Sequence, residues 1–389
     1  MIPLLIGIPA VLAVLFQFIR NEKARGYIVY AGAGIVMLTT VIFIVRWITG
    51  GAQTWMFYPE TELIDHLMTA GDIFLMCLII YLSVKYGKVL PVILSVLQTA
   101  LVLYTEFTAE TVGGPHMMVD WLTILMCIII AFIGGFICIY TVGYMKGYHA
   151  HHKDVKDRQP FFFSMLFLFL AAMFGLVLSQ NLIWIYFFWE ITSVISFLMI
   201  GYTRTDEAVN NSFCALWMNL LGGLGFAVGI ALMAQLYGTL QLMDVVESGA
   251  LLPLMCLALA GLTKSAQLPF STWLLGAMVA PTPSSALLHS ATMVKAGVYL
   301  LIRISPALEG NLVGIIISSI GGLTFIMASM MAIAQNDAKK VLAFSTISNL
   351  GLIVACSGIG VEETVWAAIF LMIFHAVSKS MLFQSVGAT

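Results

Sequence analysis

The chain has 389 residues, 61% of them hydrophobic and only 9% charged, with a formal net charge of −2. An ordinary soluble domain carries roughly 25% charged residues, so a soluble enzyme is excluded; the near-neutral charge names no partner, and nucleic acid is not expected as one. No GxGxxG or Walker-type phosphate loop occurs, and the six cysteines (Cys77, Cys127, Cys138, Cys214, Cys256, Cys356) form no CxxC pair, so neither a nucleotide site nor a redox cofactor or structural metal is expected in this chain.

Apolar runs long enough to cross a bilayer as helices recur from end to end. In lipid the backbone must satisfy its own hydrogen bonds, so these runs are predicted helices. They are expected near 2–19, 27–47, 72–84, 89–105, 118–142, 161–178, 182–201, 209–236, 251–268, 271–280, 286–304, 312–334, 341–358 and 364–386. The first lacks a basic n-region and a clear small-residue cleavage site, so it reads as a retained span and not a signal peptide.

Charge placement orders the spans. Basic residues follow the first, third, fifth, seventh and twelfth helices: Arg20, Lys23 and Arg25; Lys85 and Lys88; Lys146, Lys153, Lys156 and Arg158; Arg204; Lys339 and Lys340. The alternate loops carry acids: Glu60, Glu62 and Asp65; Glu106 and Glu110; Asp244 and Glu247; Glu309; Glu362 and Glu363. The positive-inside rule then puts the N-terminus outside. The alternation requires 251–280 to be one crossing built of two half-helices. Pro269 removes a donor and clashes with the preceding turn, so it is expected to break that helix. Irregular backbone at this depth survives where protein or a water-filled cavity covers it, which suggests a hydrated polar path.

Six ionisable residues cannot reach either surface on this map: Lys264, Lys295, Lys379, Glu190, His289 and His375. A charge at the bilayer centre costs at least ~2.5–3.5 kcal/mol by insertion scales, which favours an ion or proton path. Blander readings stay open: lysines tying helices together through carbonyls, a satisfied core histidine at His289, and a Glu190 that only neutralises Lys264. A simple buried pair is weak evidence for stability, since desolvation can exceed attraction. At ~4 Å and an effective dielectric near 20, a carboxylate and an ammonium attract by about 4 kcal/mol, enough to decide whether a buried lysine keeps its proton. In "YHAHHKD", His149, His151 and His152 read as a solvated loop, because no carboxylate or cysteine stands at ligand spacing.

The stretch "KSAQLPFSTWLLGAMVAPTPSSALLHSATMVKAGVYL" resembles the signature of the antiporter-like, proton-translocating subunits shared by respiratory complex I, energy-converting (membrane-bound) hydrogenases and multisubunit cation/proton antiporters. "NLIWIYFFWE", "NDAKKVLAFSTISNLGLI", "IFHAVSKSMLF" and "MVDWLTILM" match further motifs, so the resemblance runs from about residue 118 to 389. It implies an all-α polytopic membrane protein of about 13 transmembrane helices with two inverted five-helix repeats, each holding a broken helix. N-terminal helices would occupy 1–117, with a two-helix insertion at about 71–106. The third family helix and first repeat would occupy 118–304, with the broken helix at 251–280. The start of a second repeat would occupy 312–389. The family's paired glutamate and broken-helix lysine fall on Glu190 and Lys264, and its bridging polar residues on His289, Lys295, His375 and Lys379. Lys339 and Lys340 match a basic pair after the ninth helix, and Asp206 an acid at the cytoplasmic end of the glutamate's helix.

Four departures stand out. Gly276 replaces a frequent aspartate, and Leu371 a further histidine of the long complex I subunit. The insertion has no family counterpart; it is expected to be peripheral, with no ionisable group at mid-depth. The sequence ends at Thr389 before a second broken helix, which is then expected in a continuation of the chain or in another chain. The reading that follows is a membrane-arm subunit of a redox-driven pump, such as an energy-converting hydrogenase or a related ferredoxin- or formate-linked complex. Iron–sulfur clusters and a nickel–iron centre would sit in partner subunits. Expected partners are other membrane-arm subunits, a peripheral redox arm, the lipid bilayer, and protons or Na+, in a prokaryotic cytoplasmic membrane. Alternatives are a Na+/H+ antiporter subunit without redox partners, a quinone-reducing NADH dehydrogenase subunit, and a structural scaffold.

Overall fold

The computed structural model describes residues 1–59, 62–109, 113–153 and 155–388; Glu60, Glu110 and Thr389, used in the sequence reading, lie outside them. The described chain is almost wholly helical: α1 (Ile2–Phe16), α2 (Glu22–Thr49), α3 (Glu62–Lys85), α4 (Val89–Thr108), α5 (Trp121–Ile128), α6 (Gly134–His151), α7 (Gln159–Leu178), α8 (Leu182–Ile200), α9 (Asp206–Leu232), α10 (Leu242–Ser248), α11 (Leu251–Lys264), α12 (Thr272–Gly276), α13 (Thr282–Ser290), α14 (Met293–Ile304), α15 (Leu312–Ile333), α16 (Ala338–Ile359) and α17 (Glu362–Ala388). A π-helical turn at Ile129–Ile133 joins α5 to α6, so they form one crossing. Among the described residues eleven segments are long and apolar enough to cross a membrane, and α1 and α11 are two shorter apolar helices. Together they make the expected thirteen, and the protein is an all-α polytopic membrane protein.

Local chemistry sets where many of these helices start. The side chains of Asn21, Asp120, Asn181, Thr205, Asn311 and Asp337 accept from backbone amides of the first turns of α2, α5, α8, α9, α15 and α16. Each such cap satisfies donors that a helix start leaves free and contributes about 1 kcal/mol.

The loops separate into two ends. At one end, strands β1 (Trp55–Phe57) and β2 (Met117–Val119) pair antiparallel, with Trp55 opposite Val119. Met117 also bridges Ser179, and Asn181 bridges Gln241, so the loops carrying the acids meet there. At the other end Lys88 Nζ donates to Asn210 Oδ1 at 2.9 Å, Arg158 to the Tyr202 carbonyl at 2.6 Å, and Lys339 Nζ to the Ala280 carbonyl at 3.2 Å. The charge alternation seen in the sequence is therefore a real separation of an acidic and a basic end.

The structure departs from the expected map in four places. Helix α3 starts at Glu62, about ten residues early, because Glu62 and Asp65 suit a helix N-terminus. Helix α11 stops at Lys264, four residues early. The run expected over 286–304 is interrupted at Ala291 and Thr292, between α13 and α14. Helix α6 continues to His151, so part of the histidine-rich "loop" is a helix end. The inserted pair α3–α4 follows β1 and precedes β2, and packs against α8 and α9.

Candidate functional site

Lys264 owes its position to a helix stop. Proline at 269 would clash with the carbonyl four residues before it, so helix cannot run through Ser265. The chain instead turns left-handed at Ala266 (φ +55°). The Ala266 amide donates to the Thr263 carbonyl at 3.1 Å and the Gln267 amide to the Leu262 carbonyl at 3.0 Å, a Schellman-type ending. Side chains satisfy the freed carbonyls: Trp273 Nε1 donates to Thr263 at 3.0 Å and Gln267 Nε2 to Ser265 at 2.9 Å. Pro269 thus lies in a non-helical link, which Thr324 Oγ1 of α15 anchors by accepting from the Leu268 amide. The break comes before the proline and not at it.

The last residue of α11 is Lys264, fully buried. Its ammonium donates to the Trp189 carbonyl at 2.7 Å and to Ser193 Oγ at 2.8 Å, and sits 4.5 Å from the Trp189 ring centroid. Glu190 makes no contact ion pair with it. Among the described residues the ion pairs are His149–Asp157 at 3.6 Å and Arg303–Asp120. Glu190 projects from α8 toward α4 instead, where Oε2 accepts from Gln98 Nε2 at 2.9 Å and Oε1 has no partner. The two charges still lie within electrostatic reach of each other. Gly223 of α9 makes the room: a Cβ there would stand 2.5 Å from Glu190 Oε1 and 2.7 Å from Gln98 Oε1.

A second buried group lies where α13, α14, α16 and α17 meet. Lys295 Nζ donates to His375 Nδ1 at 2.7 Å and to the Met372 carbonyl at 3.1 Å. Lys379 Nζ donates to Ser345 Oγ at 2.6 Å. His289 is fully buried with neither ring nitrogen partnered, and its ring centroid is 4.8 Å from that of Phe383. His375 Nε2 is likewise unpartnered. The α13–α14 break lies between His289 and Lys295.

The accessory residues behave differently. Asp206 opens α9 and is exposed; Lys340 is exposed at the start of α16; Lys339 reaches the Ala280 carbonyl near the end of the broken helix. None of the three joins the buried clusters. His151 and His152 offer no metal geometry: their Nδ1 atoms bond the Gly147 and Tyr148 carbonyls at the end of α6. Among the described residues no group of three or more His, Cys, Asp or Glu could hold a metal.

Two residues escaped the sequence reading. Asp72, 6% exposed, lies about three turns inside α3, and Gln98 of α4 is the direct partner of Glu190. The inserted helices therefore do carry a buried ionisable group, because α3 begins well before the apolar run that marks it in the sequence. An Asp among apolar residues was the available signal for the first; a lone amide in a span gave almost none for the second.

Comparison with known proteins identifies the family. The family described as "NADH:quinone oxidoreductase/Mrp antiporter, TM" matches residues 179–389, more than half of the chain. "NADH-Ubiquinone oxidoreductase (complex I), chain 5 N-terminus" matches residues 115–154. A probable K(+)/H(+) antiporter subunit of Rhizobium meliloti (strain 1021) is 38% identical over 291 residues, 71% of this chain and 29% of that protein. A "Putative antiporter subunit mnhA2" of Staphylococcus aureus (strain JH9) is 37% identical over 295 residues, 70% of this chain and 36% of that protein. The chain therefore spans about a third of the length of these relatives. Among solved structures, the Mrp complex from Dietzia sp. DQ12-45-1b matches with a TM-score of 0.64 and 32% identity, over 83% of this chain and 37% of that one. An archaeal membrane-bound sulfane sulfur reductase matches over 100% of this chain and 70% of that one, with a TM-score of 0.78. At 19% identity the latter likeness is one of fold alone. By its sequence over residues 179–389, this chain belongs to the NADH:quinone oxidoreductase/Mrp antiporter family of membrane subunits.

Proposed function

We propose that this chain is a proton-carrying membrane subunit of a multisubunit cation/proton antiporter. The observation that carries the reading is Lys264: a fully buried ammonium at the end of a broken helix, held by a carbonyl and a hydroxyl with no contact carboxylate. Such a group can lose its proton without leaving an unpaired anion in contact with it. Glu190, one residue from the carbonyl that holds it, sets the local field. Protonating Glu190 weakens the hold on the Lys264 proton, and ionising it strengthens that hold. His289, Lys295, His375 and Lys379 then form the continuing relay, in which imidazoles accept and pass protons. The relatives named as K(+)/H(+) or putative antiporter subunits support this reading over a redox-driven pump. Its partners would be other membrane subunits, its setting a bacterial cytoplasmic membrane, and its basic end would face the cytoplasm with the N-terminus outside.

A redox-driven role keeps two arguments, the complex I oxidoreductases named in the matching family models and the fold shared over the whole chain with a respiratory membrane complex. Purification of the native complex followed by transport in proteoliposomes separates the two. Antiport predicts that adding Na+ or K+ collapses an imposed pH gradient without any electron donor, with only membrane subunits co-purifying. Iron–sulfur or nickel–iron subunits in the complex, with proton movement only during electron transfer, would replace this reading with the redox one.

A further inference from the structure

The helix pair α3–α4 reaches from the acidic end of the molecule to Glu190. A cavity of about 200 Å3 opens at that end, lined among others by Asp65, Glu106, His116 and Gln241. Its floor is polar on both inserted helices. Asp65 Oδ1 accepts from Trp184 Nε1 of α8 at 2.7 Å, and Thr69 Oγ1 donates to Glu106 Oε1 at 2.6 Å. Burial holds His116, in the loop outside the spans, below its ordinary value, against the opposing pull of Asp65.

Asp72 continues this line inward. It follows Asp65 by seven residues, two helical turns and about 10 Å at 1.5 Å per residue, on the same face of α3. Close packing fixes it: a Cβ on neighbouring Gly71 would stand 2.6 Å from Phe187 Cε2, so α3 presses on α8 one turn before Glu190. Asp72 is within electrostatic reach of both Glu106 and Glu190. It is 6% exposed. Glu190 Oε1 and Gln98 Oε1, both deeply buried, lack donors, and both border the space at Gly223. Acceptors gathered without donors are unstable as a static arrangement, because a buried unpaired carboxylate is among the most costly groups a protein can hold. Mobile protons supply what is missing.

We propose that the inserted helices form a proton branch from the acidic end, running through the Asp65–Glu106 cavity and Asp72 to Glu190. The proposal rests on the proton-carrying role of Glu190 and Lys264, and its test has an arm independent of that role. In a background with Cys77→Ser, since Cys77 is exposed on α3, Met68→Cys in the cavity wall and Ile79→Cys deeper on the same helix are treated with a small membrane-impermeant thiol reagent. Reagent at the acidic face should label the Met68→Cys variant and leave the Ile79→Cys variant unlabelled. In the second arm, reconstituted complex carrying Asp72→Asn should lose proton transport at least about tenfold while assembling normally, and Asp72→Glu should restore most of it. Absence of labelling at Met68→Cys overturns the branch whatever the complex transports. Wild-type transport by Asp72→Asn also overturns it. If neither Asp72→Asn nor Lys264→Ala alters transport, the proposed function fails with it.

Discussion

The two buried clusters differ in the sign of their surroundings. Around Lys264 the chain gathers acceptors: the Trp189 carbonyl, Ser193 Oγ, and beyond them Glu190, Gln98 and Asp72. Around Lys295 and Lys379 the titratable neighbours among the described residues are each other and the two histidines His289 and His375. On the proposed function, the first cluster would hold its proton in a carboxylate field, while in the second the like charges would repel each other in a poorly screened interior.

The strongest way to break this comparison is Lys264→Arg. A guanidinium keeps its charge but does not release its proton in the working range. Transport should fall by at least about 100-fold, as for loss of a positioned acid–base group, with assembly intact by gel filtration. Normal transport would show that Lys264 supplies fixed charge only. Glu190→Gln should act less completely, by roughly tenfold, about one pKa unit in the lysine's proton affinity. The new amide can still accept from Gln98, so assembly should survive, and proteoliposome flux at several pH values measures the shift.

In the second cluster His375→Gln sharpens the contrast. The amide oxygen can accept from Lys295 as Nδ1 does, yet the side chain cannot pass a proton. A several-fold loss of flux at unchanged stability is expected, and full flux would mark His375 as a spacer. Gly223→Ala is gentler: its methyl would push on the free ends of Glu190 and Gln98, and flux should fall about two- to threefold with little change in melting temperature.

The smallest effect on transport should come from Asp120→Asn. Asp120 caps α5 and accepts from Arg303 Nη2 at 2.8 Å and from the Thr123 amide at 2.8 Å. Burial alone would push its carboxyl up, but Arg303 and Thr123 outweigh that and hold it below the ordinary range. A depressed carboxyl contributes stability that is complete above its unfolded value of about 4 and is lost as pH falls through the folded value. The variant should thus lose roughly 2 kcal/mol of stability at neutral pH, seen in thermal unfolding, with unchanged flux per assembled complex.

Hydropathy, proline and loop charge act locally along the chain, and they suffice to place the spans and to send acids and bases to opposite ends. They also bury Lys264, Lys295, Lys379, Glu190, His289 and His375. Which of these groups meet is a matter of packing between helices far apart in sequence. Gln98 reaches Glu190 across 92 residues, Lys264 reaches Trp189 across 75, and Lys295 reaches His375 across 80. Helices that are apolar on nearly every side carry no periodic stripe to say which face turns toward which neighbour. That is why Asp72, a single acid in an apolar run, reads from sequence as the edge of a span, while packing at Gly71 sets it in the interior, within electrostatic reach of Glu190.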